Sequence, residues 1–583
     1  MISLTLGIIY VLLQNGHSKV ILHNQSKKFR LMFASRSYIE NLRVIYIHLT
    51  ILIGIMPNPP IAKKEPNKFQ IHGREFVDDY FWLREKDTES VLEYLHAENE
   101  YTMKMTEHLE DLRETLFQEM KGRIKETDQT VPVKYGDYFY YQRTEEGKNY
   151  HIYCRKYQSL DADEEIILDM NELAEGKKYL NIAKVSVSPA HDMLAYSVDF
   201  TGREIYDIHI LDLDSGEVIE RIENVGGQIQ WHPDGKSIYY NILDDILRSY
   251  AILHHILGTE QSKDNQIYEE PDTTFRVRIS KSKDRKFLFF YLISHSSETT
   301  EVRYIDFTSS SQELHTFYAR KAGIEMNITH HEGFFYFIIN DDDAINFRMV
   351  RAPVTDFDES NWEEIIAHNI RVRLQSVTAF KNFIAIGKRD DGYSNLMILD
   401  IETGQTHDIE MPEEIYSIGA SSNPEYETDS LRFAFSSPVT PKTIFEYHVS
   451  NRELEVKKVD EIKDFVSDEY ETERHYVTAS DGVKIPISIA YKKGIKLNGS
   501  NPLLLYGYGA YGFPMDPSFD SKRISLLERG IIFAIAHVRG GGEYGKPWYH
   551  QGKLAHKMNT FTDFITCAEY LIENNYSSKE KCL

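Results

Sequence analysis

A chain of 583 residues exceeds what one ordinary core can fill, so two or more domains are expected. Its hydrophobic content of 42% and aromatic content of 12% suit a globular protein. A formal charge of −24, spread along the chain, argues against nucleic acid as a partner, because phosphate contacts need a basic face.

Residues 4–13 and 44–55 are apolar runs of roughly ten to twelve residues, where a bilayer-spanning helix needs about 20, so no membrane partner is expected. The first run lacks a positively charged lead, and Gln14-Asn15-Gly16-His17-Ser18 is a poor cleavage site. Residues 1–55 therefore read as an extension outside the fold, disordered or wrongly assigned to the chain. Met56-Pro57-Asn58-Pro59-Pro60 looks like the start of a cytoplasmic protein. Three cysteines, Cys154, Cys567 and Cys582, supply neither a disulfide framework nor metal-ligand spacing. That agrees with a reduced compartment and with a protein needing no metal and no cofactor.

Residues 56–128 read as a helical arm that packs on the carboxyl-terminal domain. Leu92, Leu95, Met103, Leu109, Leu112, Leu116 and Phe117 recur at helical spacing. Asp78, Asp79 and Arg84 are charged groups whose spacing specifies no chemistry.

From 129 to 460 the chain repeats a strand–turn–strand unit rich in Tyr and Phe. The first strands of the units are placed at Tyr138, Leu194, Ile238, Phe287, Phe334, Phe383 and Leu431, so the period runs from 44 to 56 residues. That is the range of propeller blades, and seven units predict a seven-bladed β-propeller. Closing the ring covers faces that a single blade leaves bare.

After Asp460 the pattern changes, and residues 461–583 form a further domain. Strands flank the turn Ser480-Asp481-Gly482. Two wholly apolar runs, 503–505 and 531–536, each end in a glycine-rich turn, as buried parallel strands do. A helix follows, with Thr560 and Asp563 spaced as a capping pair and Phe561, Phe564, Ile565, Ala568, Leu571 and Ile572 on one face. Together these predict the first half of an α/β-hydrolase fold. In that fold a Gly-x-Ser-x-Gly turn, an acid and a histidine come next, and the chain order places all three beyond Leu583. The domain is thus expected to be truncated.

His537-Val538-Arg539-Gly540-Gly541-Gly542-Glu543, continuing to Trp548-Tyr549, Gly552-Lys553 and 557–561, resembles the prolyl oligopeptidase family of serine peptidases, and within it the oligopeptidase B branch. Asp78-Asp79-Tyr80-Phe81-Trp82-Leu83-Arg84 resembles that family's amino-terminal arm. The resemblance implies a propeller capping a hydrolase domain, with short peptides as substrates, cut after basic residues or after proline. Tyr506-Gly507-Tyr508-Gly509 matches the family loop whose second tyrosine stabilises the oxyanion, which assigns that role to Tyr508. Asp516 matches an aspartate that contacts basic substrate side chains, while Ser518 stands where the branch has a second acid. Without its triad, this chain by itself is expected to be inactive. The rival reading is a non-catalytic propeller that binds partners and carries a vestigial hydrolase part.

Overall fold

The repeat resolves into seven antiparallel sheets, spanning 128–169, 181–225, 229–269, 275–318, 326–366, 372–408 and 417–459. The computed structural model describes residues 57–583 and, ahead of them, the backbone of three antiparallel strands, Ile8–Gln14, His17–Asn24 and Lys27–Arg30. The expectation for the rest of 1–55, including the apolar run 44–55, lies outside the described residues. Six blades have four strands in meander order, and the first has five.

The strands taken from sequence as first in each unit are the second in each four-stranded blade and the third in the five-stranded first blade. Phe334–Ile339, for example, pairs with Met326–His331 before it and with Arg348–Pro353 after it. Burial explains why this strand stands out. Alternate side chains point to opposite faces. Phe335, Phe337 and Ile339 pack with Phe287 and Phe289 on one side. Tyr336 and Ile338 pack with Ile384 and Ile386 on the other. A strand sandwiched between two neighbouring blades must be apolar throughout. The true first strands are less apolar, as with Asn181–Val187, and in places short, as with Ser417–Ala420, so they leave little signal.

Ring closure joins the last blade to the first. Lys458 pairs with Asp128 and donates to the Gln129 carbonyl at 2.5 Å. Arg432 Nη1 donates to the Pro132 carbonyl at 2.8 Å, and Glu425 accepts the Gly136 N–H at 2.6 Å.

The carboxyl-terminal sheet contains β1 (Tyr470–Thr478), β2 (Lys484–Lys492), β3 (Leu503–Tyr506) and β4 (Ile532–Ala536), in the order β1-β2-β4-β3. β1 and β2 form the expected hairpin, and β3 and β4 run parallel with Leu503 opposite Ile532. Ile485, Ile487, Leu503, Ile532, Ala534, Cys567 and Leu571 form the core beneath the helix Met558–Glu573. The chain then returns to the free side of β3. Leu503 N–H donates to the Lys581 carbonyl at 2.9 Å, Leu583 N–H to Leu503 at 2.8 Å, and Leu505 N–H to Leu583 at 2.9 Å. These three bonds begin a further parallel strand.

Residues up to Gln118 make a unit of their own. In it a hairpin, Asn67–Ile71 with Arg74–Asp78, precedes a short 3-10 turn and the helix Glu89–Thr106. Asp78 accepts the Tyr80 N–H at 2.9 Å, a turn-capping duty. Among the described residues no helix is long and apolar enough to cross a membrane.

Candidate active site

Two glycine loops, 507–512 and 538–545, leave the carboxyl ends of β3 and β4, which is where open α/β sheets place their chemistry. They touch backbone to backbone, with Gly512 N–H donating to the Gly540 carbonyl at 3.0 Å. The approach demands glycine. A Cβ on Gly540, at φ +97°, would sit 2.1 Å from the Gly509 carbonyl oxygen. One on Gly509, at φ +63°, would meet the Thr560 and Val538 side chains at 2.4 and 2.6 Å.

The helix holds both loops. Lys557 Nζ donates to the Gly509 carbonyl at 2.5 Å, and Thr560 Oγ1 to the Arg539 carbonyl at 2.7 Å. Asp563, fully buried, accepts from Arg539 Nε at 2.8 Å, from Nη2 at 2.6 Å and from its backbone N–H at 3.1 Å. Arg539 also reaches Asp481 of the β1–β2 turn at 2.5 Å. The Asp563 carboxylate, with that of Asp481, holds the guanidinium charged despite its burial. Thr560 and Asp563 are therefore loop anchors and not a helix cap; Lys557 begins the helix with no side-chain cap. The buried stripe runs Thr560, Asp563, Cys567, Leu571. Phe561 and Ile565, expected on that stripe, lie on the opposite, exposed face.

Tyr508 stands in the open at 45% exposure, edge-on to Phe513 with ring centroids 6.1 Å apart. Among the described residues its hydroxyl has no hydrogen-bond partner, so the donor is uncommitted. Asp516 is not free: Arg389, a buried residue of the sixth blade, grips its carboxylate with both terminal nitrogens. Nothing local marks Arg389, which reaches Asp516 from 127 positions away in sequence.

Among the described residues two Ser–His–Glu arrangements occur, and neither can act as a nucleophile. Ser488 Oγ lies 2.9 Å from His537 Nε2, and Glu543 lies 3.7 Å from Nδ1. All three are at most 2% exposed, so no peptide reaches them. Arg474 donates to both Ser488 Oγ and His537 Nε2, at 2.7 and 2.8 Å. Burial first, and then the Arg474 charge, push the imidazole down to about 4. In the seventh blade, Ser430 Oγ is 3.0 Å from His448 Nδ1, and Glu455 is 3.2 Å from Nε2. These lie on regular strands whose ladder engages the backbone, so no N–H donors converge for an oxyanion.

Residues 59–460 match the family described as prolyl oligopeptidase, N-terminal beta-propeller domain, and residues 517–583 match the prolyl oligopeptidase family. The chain belongs to the prolyl oligopeptidase family. Protease 2 of Moraxella lacunata is 36% identical over 531 residues, covering 90% of this chain and 76% of that protein. Dipeptidyl aminopeptidase BI of Pseudoxanthomonas mexicana is 33% identical, covering 91% of this chain and 76% of its own length. Among solved structures, oligopeptidase B from Trypanosoma brucei, in a closed form with covalently bound antipain, superposes with a TM-score of 0.85 at 32% identity, over 90% of this chain and 78% of that one. By this membership in the prolyl oligopeptidase family the chain is of serine-peptidase type, a propeller joined to the leading part of a hydrolase sheet.

Proposed function

We propose that this chain supplies the propeller and the oxyanion side of a serine oligopeptidase that cuts short peptides after basic residues, or after proline. The Tyr508 loop carries this reading. It stands at the carboxyl end of β3, beside the ladder begun by residues 581–583. Any strand prolonging that ladder runs past Tyr506 and delivers its far end near Tyr508. A serine turn at that level would attack a peptide carbonyl, its histidine taking and returning the proton. The Tyr508 hydroxyl would then donate to the oxyanion as it forms.

Likeness to an oligopeptidase B that holds antipain supports the basic preference. Asp516 is the carboxylate for a basic side chain, which has to compete with Arg389. Three free thiols, Cys154, Cys567 and Cys582, support a cytoplasmic setting.

We further propose that residues 1–583 alone do not hydrolyse peptides. Purified protein should leave an arginyl-coumarin dipeptide intact, since loss of a triad costs about 10⁶ in kcat. Turnover sensitive to a serine-directed inhibitor would overturn this. In a chimera completed with the carboxyl-terminal part of the Moraxella protease 2, Tyr508→Phe should lower kcat about 10²–10³-fold with KM little changed. An unaltered kcat would remove Tyr508 from the oxyanion role.

A further inference from the structure

The propeller encloses a cavity of about 890 Å³ to which all seven blades contribute. Its lining is strongly cationic, in a chain whose net charge is −24. Lys184, Lys281, Lys283, Arg285, Lys442 and Lys458 face it. Asp460 is the single carboxylate among the lining residues. Lys458 is neutralised by Asp128 at the ring closure. Among the described residues the other five cations have no carboxylate within 4.0 Å. Glu425, whose charge acts on Lys283 from beyond 4.0 Å, accepts the Gly136 N–H at 2.6 Å.

What these cations do touch is weaker. Lys281 Nζ donates to the Trp231 carbonyl at 3.0 Å. Lys283 donates to the Asn423 carbonyl and lies 5.1 Å over the Phe380 ring. Arg285 lies 4.6 Å over Tyr135. Lys184 and Lys442 project into the cavity with no polar partner among the described residues. Carbonyls and ring faces orient a cation without cancelling its charge. Burial, and then the charge of Arg285, push Lys281 and Lys283 down to about 8. Concentrating like charges in a partly desolvated space is costly unless an anion enters it.

We propose that the propeller cavity is a binding site for a compact polyanion carrying several phosphate groups, held by Lys184, Lys281, Lys283, Arg285 and Lys442. The phosphates replace the missing carboxylates, each ammonium acting as a point charge and Arg285 as a planar fork. The hydroxyls of Tyr135 and Tyr153, which have no hydrogen-bond partner among the described residues, add donors for the remaining oxygens. The site lies in the blades and is separate from the Tyr508 loop, so it stands whether or not the peptidase reading holds.

Inorganic tripolyphosphate is the probe, titrated into the 1–583 protein at low ionic strength, with calorimetry and thermal melting as readouts. One tripolyphosphate per chain should bind and raise the melting midpoint, as mass action requires of a ligand specific for the folded state. Orthophosphate should bind far more weakly, and added salt should erode the binding. The double variant Lys281→Met/Lys283→Met keeps the aliphatic stems and should weaken binding by at least about tenfold, the scale of one lost charge-assisted contact. Its ligand-free midpoint should not fall, because two unpaired charges have left a partly buried space. If that variant misfolds, Lys184→Glu/Lys442→Glu, at positions exposed to the cavity, should weaken binding equally. Absence of both heat and midpoint shift at about 1 mM tripolyphosphate would overturn the proposal. So would undiminished binding by both double variants, which would place the anion elsewhere on the surface.

Discussion

His537 is buried against Arg474 and Ser488, and its imidazole titrates near 4 where an unfolded histidine titrates near 6.5. Between those values the unfolded state binds the extra proton, so stability rises with pH across that window. The contribution is complete above about pH 6.5 and drains away as pH falls towards 4, by at most about 1.4 kcal/mol per pH unit. His537→Gln should flatten the acid side of the melting-midpoint profile relative to the parent; parallel profiles would refute the assignment. Arg539 and Asp563 make the second residue-scale case. Asp563→Asn leaves a buried guanidinium half-paired and should cost about 3–5 kcal/mol in denaturant unfolding, the usual penalty for breaking a buried pair. Asp563 was visible in the sequence as a helix-start residue. Its partner was not, because no sequence period links a helix to a loop 24 positions before it.

At the level of elements, the two glycine loops act as a clasp whose closeness depends on absent side chains. Gly540→Ala puts a methyl 2.1 Å from the Gly509 oxygen in a backbone conformation that favours glycine, so the loops must part. Melting should drop, and protease should cut faster beside Tyr511, already 85% exposed. Unchanged cleavage would mean the clasp does not hold the Tyr508 loop. The blades teach a related lesson. Their number is legible because one strand of each blade is packed on both faces between its neighbours, whereas their boundaries are not, because the inner strands border a polar cavity. The helix Met558–Glu573 is apolar on two sides, so periodicity placed Leu571, Phe564 and Ala568 on the packed side correctly but put the exposed Phe561 and Ile565 there as well.

Across the whole molecule, the sixth blade meets the peptidase part through Arg389 and Asp516. Arg389→Met should free the carboxylate. In the chimera with the protease 2 carboxyl-terminal part, KM for an arginyl-arginyl substrate should then fall by about tenfold, the scale of one charge-assisted contact. A constant KM would take Asp516 out of substrate recognition. From the order of residues alone followed the seven repeats, the hairpin and the two parallel strands with their glycine turns, since each is written in a local alternation or an unbroken apolar run. Only the folded chain decided that Arg389 covers Asp516, that Arg539 locks onto Asp563, and that five cations share a cavity with one lining carboxylate in a molecule of negative charge. Electrostatic partners and burial are set by segments that meet across the ring and the sheet, and that meeting leaves no mark in any one stretch.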